Sequence, residues 1–378
     1  MLFTSIEFLF LFLPAVMAVY YALPDRFSLR NNWLLVSSLA FYAWGEPVFV
    51  LMMLASICFN YFAALAVGRL RNGIAGRLVF VSSIAVNILF LGVYKYLNFV
   101  TATVREWFPS WCGVVPQTSI LLPIGISFFT FQAMSYLMDV RRGVSPQRNP
   151  LAVALYIALF PQLVAGPIVR YTTIAGQISC RRTTWELFSS GAIRFMVGFN
   201  KKMLLANVLA EAADKMFASP LQSVSGAVLG ALSYTLQIYF DFSAYSDMAI
   251  GLGRMFGFSF PENFNYPYVS RSVTEFWRRW HISLGSWFRD YLYVPMGGSR
   301  AGKARMVLNL SVVWLLTGIW HGANWTFVVW GVFYGVLLTA EKLSGWDKRI
   351  ESNPGLAAFS YPLTMLAVVA GWVLFRAD

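Results

Sequence analysis

The chain has 378 residues, 58% of them hydrophobic and 12% charged, with a formal net charge of +12. Soluble domains carry about 25% charged residues, so half that share with repeated long apolar runs excludes a soluble domain. The Lys and Arg excess lies in short loops between apolar runs, where it sets orientation and does not point to nucleic acid.

The runs lack strand alternation and are too long for barrel strands, so the spans are helical. Cys58, Cys112 and Cys180 are scattered, with no CxxC, metal spacing or disulfide framework, and no metal site is expected. The first apolar run has no basic leader and reads as a mature span. No repeats, low-complexity tracts or soluble domains stand out, so residues 1–378 read as one membrane-embedded domain.

Residues 8–23 form the first predicted span. Residues 33–44 and 48–67 follow, separated by a turn at Gly45-Glu46-Pro47, because the residue before proline is pushed out of the helical region. Residues 78–94 span again, 95–119 are wetter, and 120–140 span once more. An outside N-terminus places the loops holding Arg26/Arg30, Arg69/Arg71/Arg77 and Arg141/Arg142/Arg148 all inside.

Residues 151–169 break this alternation, being apolar with basic flanks on both sides: Arg141 to Arg148 before, and Arg170, Arg181 and Arg182 after. Pro161, Gly166 and Pro167 would interrupt a helix there, which predicts a re-entrant hairpin. Irregular backbone survives at that depth only if it is protein-buried or lines a cavity, a first sign of an internal tunnel. Residues 185–215 read as an amphipathic, partly interfacial helix.

Residues 224–256 are apolar but contain Asp241 and Asp247, which must face a cavity or a partner. They serve equally as packing or capping carboxylates. After a Pro/Asn loop, residues 275–293 are dense in Trp, Tyr and Arg, the composition of an interfacial helix. Both histidines of the protein lie in this half, each directly after a tryptophan: His281 and His321. His321 sits between the apolar runs 307–320 and 325–338, and an ionisable group so placed is a functional-site hypothesis by default. The structural alternative is a buried histidine satisfied by a carbonyl. Residues 356–375 form a last span.

Several motifs are specific: Leu122-Pro123-Ile124-Gly125-Ile126-Ser127-Phe128, Ala165-Gly166-Pro167, the stretch from Tyr239 through Asp241, Tyr245 and Asp247 to Gly251, Glu262-Asn263-Phe264, Phe276 to Pro295, and Thr317 to Asn324 with Trp320-His321-Gly322. In these the chain resembles the membrane-bound O-acyltransferases, in the branch holding the alginate O-acetylation subunit and the D-alanyl transfer protein of teichoic acids. The resemblance implies an all-α, polytopic fold with re-entrant and interfacial helices around a transmembrane tunnel, in a bacterial inner membrane. It implies His321 as the catalytic residue, with His281 a second candidate. Asp241, Tyr245, Asp247, Trp277, Arg278, Arg279, Arg289, Trp320 and Asn324 would shape the tunnel or its donor entrance. Relatives continue past the span at 356–375, so the chain, ending at Asp378, is expected to lack the family's C-terminal spans.

Acyl transfer to a hydroxyl needs a base, and neutral imidazole suits that task. Asn324 or backbone N–H groups near Gly322 are candidates for the oxyanion. No Gly-x-Ser-x-Gly elbow suggests a covalent serine. The expected donor is acetyl-CoA or another cytoplasmic acyl thioester, with no bound cofactor. The acceptor would be a cell-envelope glycan, reached through a secreted or membrane-anchored relay protein. The competing class is a transporter or channel using the intramembrane carboxylates.

Overall fold

The computed structural model describes residues 1–24, 26–163, 166–219, 223–300 and 302–377. These form helices joined by turns, with no strand among the described residues. Among the described residues four helices are long and apolar enough to cross a membrane: Phe49–Arg69, Ile74–Trp107, Trp325–Ser344 and Pro354–Arg376. The protein is therefore a polytopic helical membrane protein. The chain divides into two compact units, Met1–Phe195 with Met248–Phe260, and Met196–Asp247 with Pro261–Asp378.

The first unit contains α1 (Phe8–Ala22), α2 (Phe27–Gly45), α3 (Phe49–Arg69), α4 (Ile74–Trp107) and α5 (Ile126–Arg142). The predicted turn at Glu46 and Pro47 separates α2 from α3. The predicted end of the span at Tyr94 is corrected: α4 continues as one helix through Lys95 to Trp107, with a π-helical stretch at Gly92–Tyr96. Conversely, α5 begins only at Ile126, because Pro123 holds Leu122 out of helical geometry and Gly125 is left-handed at φ 77°. Between α3 and α4, Asn60 and Asn87 exchange amide hydrogen bonds of 3.1 and 2.9 Å, polar glue of the kind that joins helices in lipid.

The predicted interruption in 151–169 is present. The segment α6 (Pro150–Ala158) breaks at Leu159 before the short α7 (Phe160–Leu163), while Val164 and Ala165 lie outside the described residues. Its broken backbone is satisfied by protein. Ser38 Oγ accepts from Phe160 N at 3.1 Å, Gln162 Nε2 donates to the Tyr156 carbonyl at 2.5 Å, and Tyr156 Oη donates to the Val169 carbonyl at 3.1 Å. This is the protein-buried solution to irregular backbone.

After α8 (Tyr171–Ser179), Arg181 also departs from its reading as a loop charge: it is buried. Its guanidinium donates to the Phe256 carbonyl at 2.9 Å, Asn31 Oδ1 at 2.6 Å and Tyr20 Oη at 3.1 Å, and lies 4.2 Å from the centre of the Phe258 ring. Five fixed donors suit a site with several acceptors pointing inward. The unit is completed by the first part of α9 (Trp185–Asn200).

In the second unit a π-helical stretch, Lys201–Ala206, leads into α10 (Asn207–Phe217). The long α11 (Val224–Met255) carries the two intramembrane acids. Both are paired: Lys201 Nζ lies 2.6 Å from Asp247 and Lys202 Nζ 2.6 Å from Asp241. The remaining elements are α12 (Val273–Arg279), α13 (Ile282–Phe288), α14 (Lys303–His321), α15 (Trp325–Ser344), α16 (Trp346–Ser352) and α17 (Pro354–Arg376).

The apolar stretch around His321 folds as the hairpin α14–α15, so His321 is the last residue of α14 and not the middle of a span. The two helices meet backbone to backbone. A Cβ on Gly331 would stand 2.5 Å from the Trp314 carbonyl oxygen and 3.1 Å from Gly318 Cα, so only glycine fits.

Candidate functional site: a cavity lined by two histidines

Residues 275–293, expected as one interfacial helix, fold as two seven-residue helices and a π-helical turn, Arg289–Tyr293. The surface reading is corrected: Phe276, Trp280, Trp287, Phe288 and Tyr291 are buried. Between α12 and α13, Trp280 is extended and His281 adopts the left-handed region at φ 44°. Histidine is among the few side chains enriched there, and such outliers persist only where their surroundings hold them. Here the loop before α12 supplies the hold. Asn265 N donates to the Arg279 carbonyl at 2.9 Å and Ile282 N to the Asn263 carbonyl at 2.9 Å, clipping 263–265 against 279–282.

The start of α12 is fixed just as closely. A helix leaves its first N–H groups without partners. Ser272 Oγ accepts from Glu275 N at 3.0 Å. Glu341, reaching from α15, accepts from Val273 N at 2.7 Å, from Thr274 N at 2.8 Å and from Thr274 Oγ1 at 2.7 Å. A carboxylate at this end also complements the helix dipole.

Between α12, α13, α14 and α15 lies a cavity of about 320 Å³. His281 and His321 both line it, with Trp277, Leu284, Phe288, Val313 and Trp314 as apolar walls. Among the described residues three cations contribute to the lining, Arg278, Arg289 and Lys342, and no carboxylate does. Their counter-ions lie behind them. Asp290 sits 2.7 Å from Arg289 Nε, and Asp347 lies 3.7 Å from Arg278 and 3.9 Å from Lys342. The side chains of Arg278 and Arg289 are 66% and 65% exposed, so these surface pairs, one long and one close, leave both guanidinium groups able to meet a second anion.

His321 stands in an aromatic box. Its ring centre lies 5.0 Å from Trp320, 5.0 Å from Trp330 and 5.2 Å from Phe375, with interplanar angles of 78°, 79° and 79°. These edge-to-face contacts fix the ring's orientation. The Phe327 ring packs against Gly322, where a Cβ would run into it.

His281 is 2% exposed. Its Nδ1 lies 3.1 Å from Asn263 Oδ1, and Phe242 meets its ring edge-on at 4.7 Å. It lies between two seven-residue helices, outside the four spans, and burial lowers its pKa from 6.5 to about 3.

The cavity thus gathers His281, His321, Trp277, Arg278 and Arg289. Asp241, Tyr245, Asp247, Arg279, Trp320 and Asn324 are not among its lining residues. Asp241 and Asp247 are committed to the two lysines, and Arg279 pairs with Glu275 at 2.8 Å. Asn324 caps α15 by accepting from Thr326 N at 3.3 Å. Trp320 packs between the histidines, 6.1 Å from the His281 ring and 5.0 Å from that of His321. Sequence reasoning missed Trp314, Lys342 and Glu341. The spacing of Glu341 and Lys342 after the last apolar turn of α15 was the available signal. Among the described residues no cluster of three or more His, Cys, Asp or Glu could hold a metal ion.

Fold and cavity together define a multi-pass membrane protein with two histidines lining an apolar, cation-bearing pocket. Residues 38–346 match the family model of the membrane-bound O-acyltransferases, and the chain belongs to that family of acyl-transferring enzymes. Over its full length it is 45% identical to the probable alginate O-acetylase of Pseudomonas aeruginosa, of which it covers 72%. Full-length identity to the peptidoglycan O-acetyltransferase of Helicobacter pylori is 33%, covering 77% of that protein. A further relative, the teichoic acid D-alanyltransferase of Bacillus subtilis, is 29% identical over 69% of this chain and 70% of its own.

Proposed function

We propose that this enzyme moves an acetyl group from cytoplasmic acetyl-CoA to a hydroxyl of an alginate-like exopolysaccharide, through a secreted or membrane-anchored relay protein, with His321 as general base. One observation carries the reading: His321 shares a cavity with three cations and, among the described residues, no carboxylate. Arg278, Arg289 and Lys342 suit the phosphates of a CoA-type donor, since charge-assisted bonds to phosphate are the strong ones. The apolar walls exclude water, which would otherwise take the acyl group.

In the reaction the acceptor oxygen attacks the thioester carbonyl as His321 takes its proton. The tetrahedral oxyanion is met by backbone N–H groups near Gly322, since the oxygen of Asn324 is engaged in its cap. The C–S bond then breaks, and His321 returns the proton to the departing thiolate. The imidazole is suited to both transfers because its ordinary pKa lies near neutrality.

Asp241, Tyr245, Asp247 and Trp320 support this site from outside it, the acids by anchoring Lys201 and Lys202. The three Arg-bearing loops before residue 150 support a bacterial inner-membrane location with the N-terminus outside. The test measures CoA release by the purified enzyme with acetyl-CoA, together with acetyl esters on the secreted polymer after gene deletion. Both signals should depend on the enzyme. CoA release without any change in polymer acetylation would redirect the acceptor assignment, and no CoA release would overturn the donor.

A further inference from the structure

The hydrogen bonds around His281 determine which of its nitrogens carries the proton. Asn263 Oδ1 accepts from the backbone N–H of Ser283 at 3.2 Å and from Ser283 Oγ at 2.8 Å. A backbone N–H can only donate, so the Asn263 atom facing it must be the amide oxygen and not the nitrogen. That same oxygen lies 3.1 Å from His281 Nδ1. An amide oxygen cannot donate to Nδ1, and Ser283 Oγ, 3.5 Å from Nδ1, already gives its one hydrogen to that same oxygen, so Nδ1 must carry the hydrogen. Burial keeps the ring neutral at neutral pH, and a neutral imidazole has one N–H and one bare nitrogen. The bare nitrogen is Nε2. It is buried and has no hydrogen-bond partner among the described residues. The left-handed backbone at His281 and the clip from 263–265 hold this ring in place.

We infer that Asn263 is a positioning residue that locks His281 as the Nδ1–H tautomer, so that its Nε2 lone pair accepts a hydrogen bond from a neutral donor group entering the cavity. That group is an amide N–H of the thioester's arm or the O–H of the acyl acceptor. A buried acceptor left empty carries a desolvation cost, which a donor-bearing substrate relieves and a donor-less analogue does not. The two histidines then divide the work: His321 moves the proton, and His281 reads the substrate. The division rests on the transferase reading above; the tautomer does not.

With two histidines in the chain, 15N-histidine labelling gives two ring systems in a solid-state NMR spectrum of the enzyme in lipid, assigned with His321→Gln. The wild-type His281 ring should show protonated Nδ1 and bare Nε2. Asn263→Leu should release the lock and shift protonation towards Nε2. Asn263→Asp, which keeps an oxygen acceptor facing Nδ1 and protects against a folding failure, should retain the proton on Nδ1. An Nε2-protonated wild-type ring, or a tautomer that ignores Asn263→Leu in folded protein, overturns the inference.

The functional arm uses acetyl-CoA as probe. His281→Leu should weaken acetyl-CoA binding by about 10-fold if the donor is the thioester's amide. It should instead leave binding intact and lower turnover by about 10- to 100-fold if the donor is the acceptor hydroxyl. His281→Gln restores a neutral acceptor and should recover much of whichever is lost. Binding and turnover both unchanged in His281→Leu would overturn the reading role. Wild-type enzyme that releases no CoA would instead sink the transferase reading, with the NMR result intact.

Discussion

Glu341 touches no cavity surface, yet it should control the site more than most residues that do. It stands on α15, and its carboxylate is the acceptor for the first two N–H groups of α12 and for the Thr274 hydroxyl. Replacing it with alanine leaves two backbone donors without protein partners in a partly buried place. Each such loss costs about 1–3 kcal/mol, with water able to recover part of it, so Glu341→Ala should cost about 2–4 kcal/mol. Glu341→Gln keeps one acceptor oxygen and loses the charge, so about half that loss is expected. Because α12 carries Trp277 and Arg278 into the cavity, the same variants should also lose activity. A misplacement of about 1 Å can cost on the order of 100-fold. Thermal or denaturant unfolding in detergent, run beside CoA release, should rank wild type above Gln and Gln above Ala in both assays. If Glu341→Ala matches wild type in both, the cap is not what holds α12, and the reasoning fails.

Other outcomes follow from other contacts. Gly318→Val should push α14 from α15, cost about 1–3 kcal/mol by overpacking, and reduce turnover because His321 lies one turn further on; unchanged unfolding and activity would contradict the close approach. Arg181→Lys keeps the charge but loses the fork to Phe256, Asn31 and Tyr20, and should lower stability by about 2–4 kcal/mol in an unfolding titration. For His281 the folded pKa is lowered to about 3 against an ordinary 6.5, so below pH 6.5 the unfolded chain takes a proton that the folded chain refuses. Stability should therefore fall as pH drops from about 6.5 towards 3, by about 3 kcal/mol at pH 4.5, and His281→Gln should flatten that part of the profile.

The fold class and the two histidines were readable because lipid imposes strict rules on composition. An apolar run with an ionisable residue is conspicuous anywhere in a chain, and the turn at Glu46-Pro47 follows from proline alone. Helix ends were harder. Lys95 reads as an end of α4 by hydropathy, but its ammonium donates to Ser127 Oγ at 3.0 Å, so the helix continues past it. The stretch 275–293 has the composition of a surface helix, yet its aromatic residues pack against one another, as with Trp277 and Trp314 at 4.8 Å. Composition cannot distinguish a tryptophan that meets headgroups from one that meets another tryptophan. Long-range partners were the least legible. Asp241 and Asp247 were visible as anomalies, but that Lys202 and Lys201 answer them depends on a π-helical stretch that aims two consecutive lysines at α11. The clip of Asn263 on His281 joins residues 18 apart through a left-handed backbone position that no sequence pattern announces.

The central claim is that His321 takes the acceptor's proton inside the cavity. Its ring packs against Trp320, Trp330 and Phe375, so alanine would also leave a void, and His321→Gln is the cleaner variant because it fills the box without serving as a base. The decisive measurement is single-turnover acetyl transfer by purified His321→Gln, with acetyl-CoA binding and the unfolding midpoint recorded on the same preparation. Removing a general base should cost about 100- to 10,000-fold in rate, with donor binding and folding near wild type. A variant that folds, binds acetyl-CoA and keeps more than about a tenth of the wild-type rate would contradict the assignment, because that loss is smaller than base removal causes.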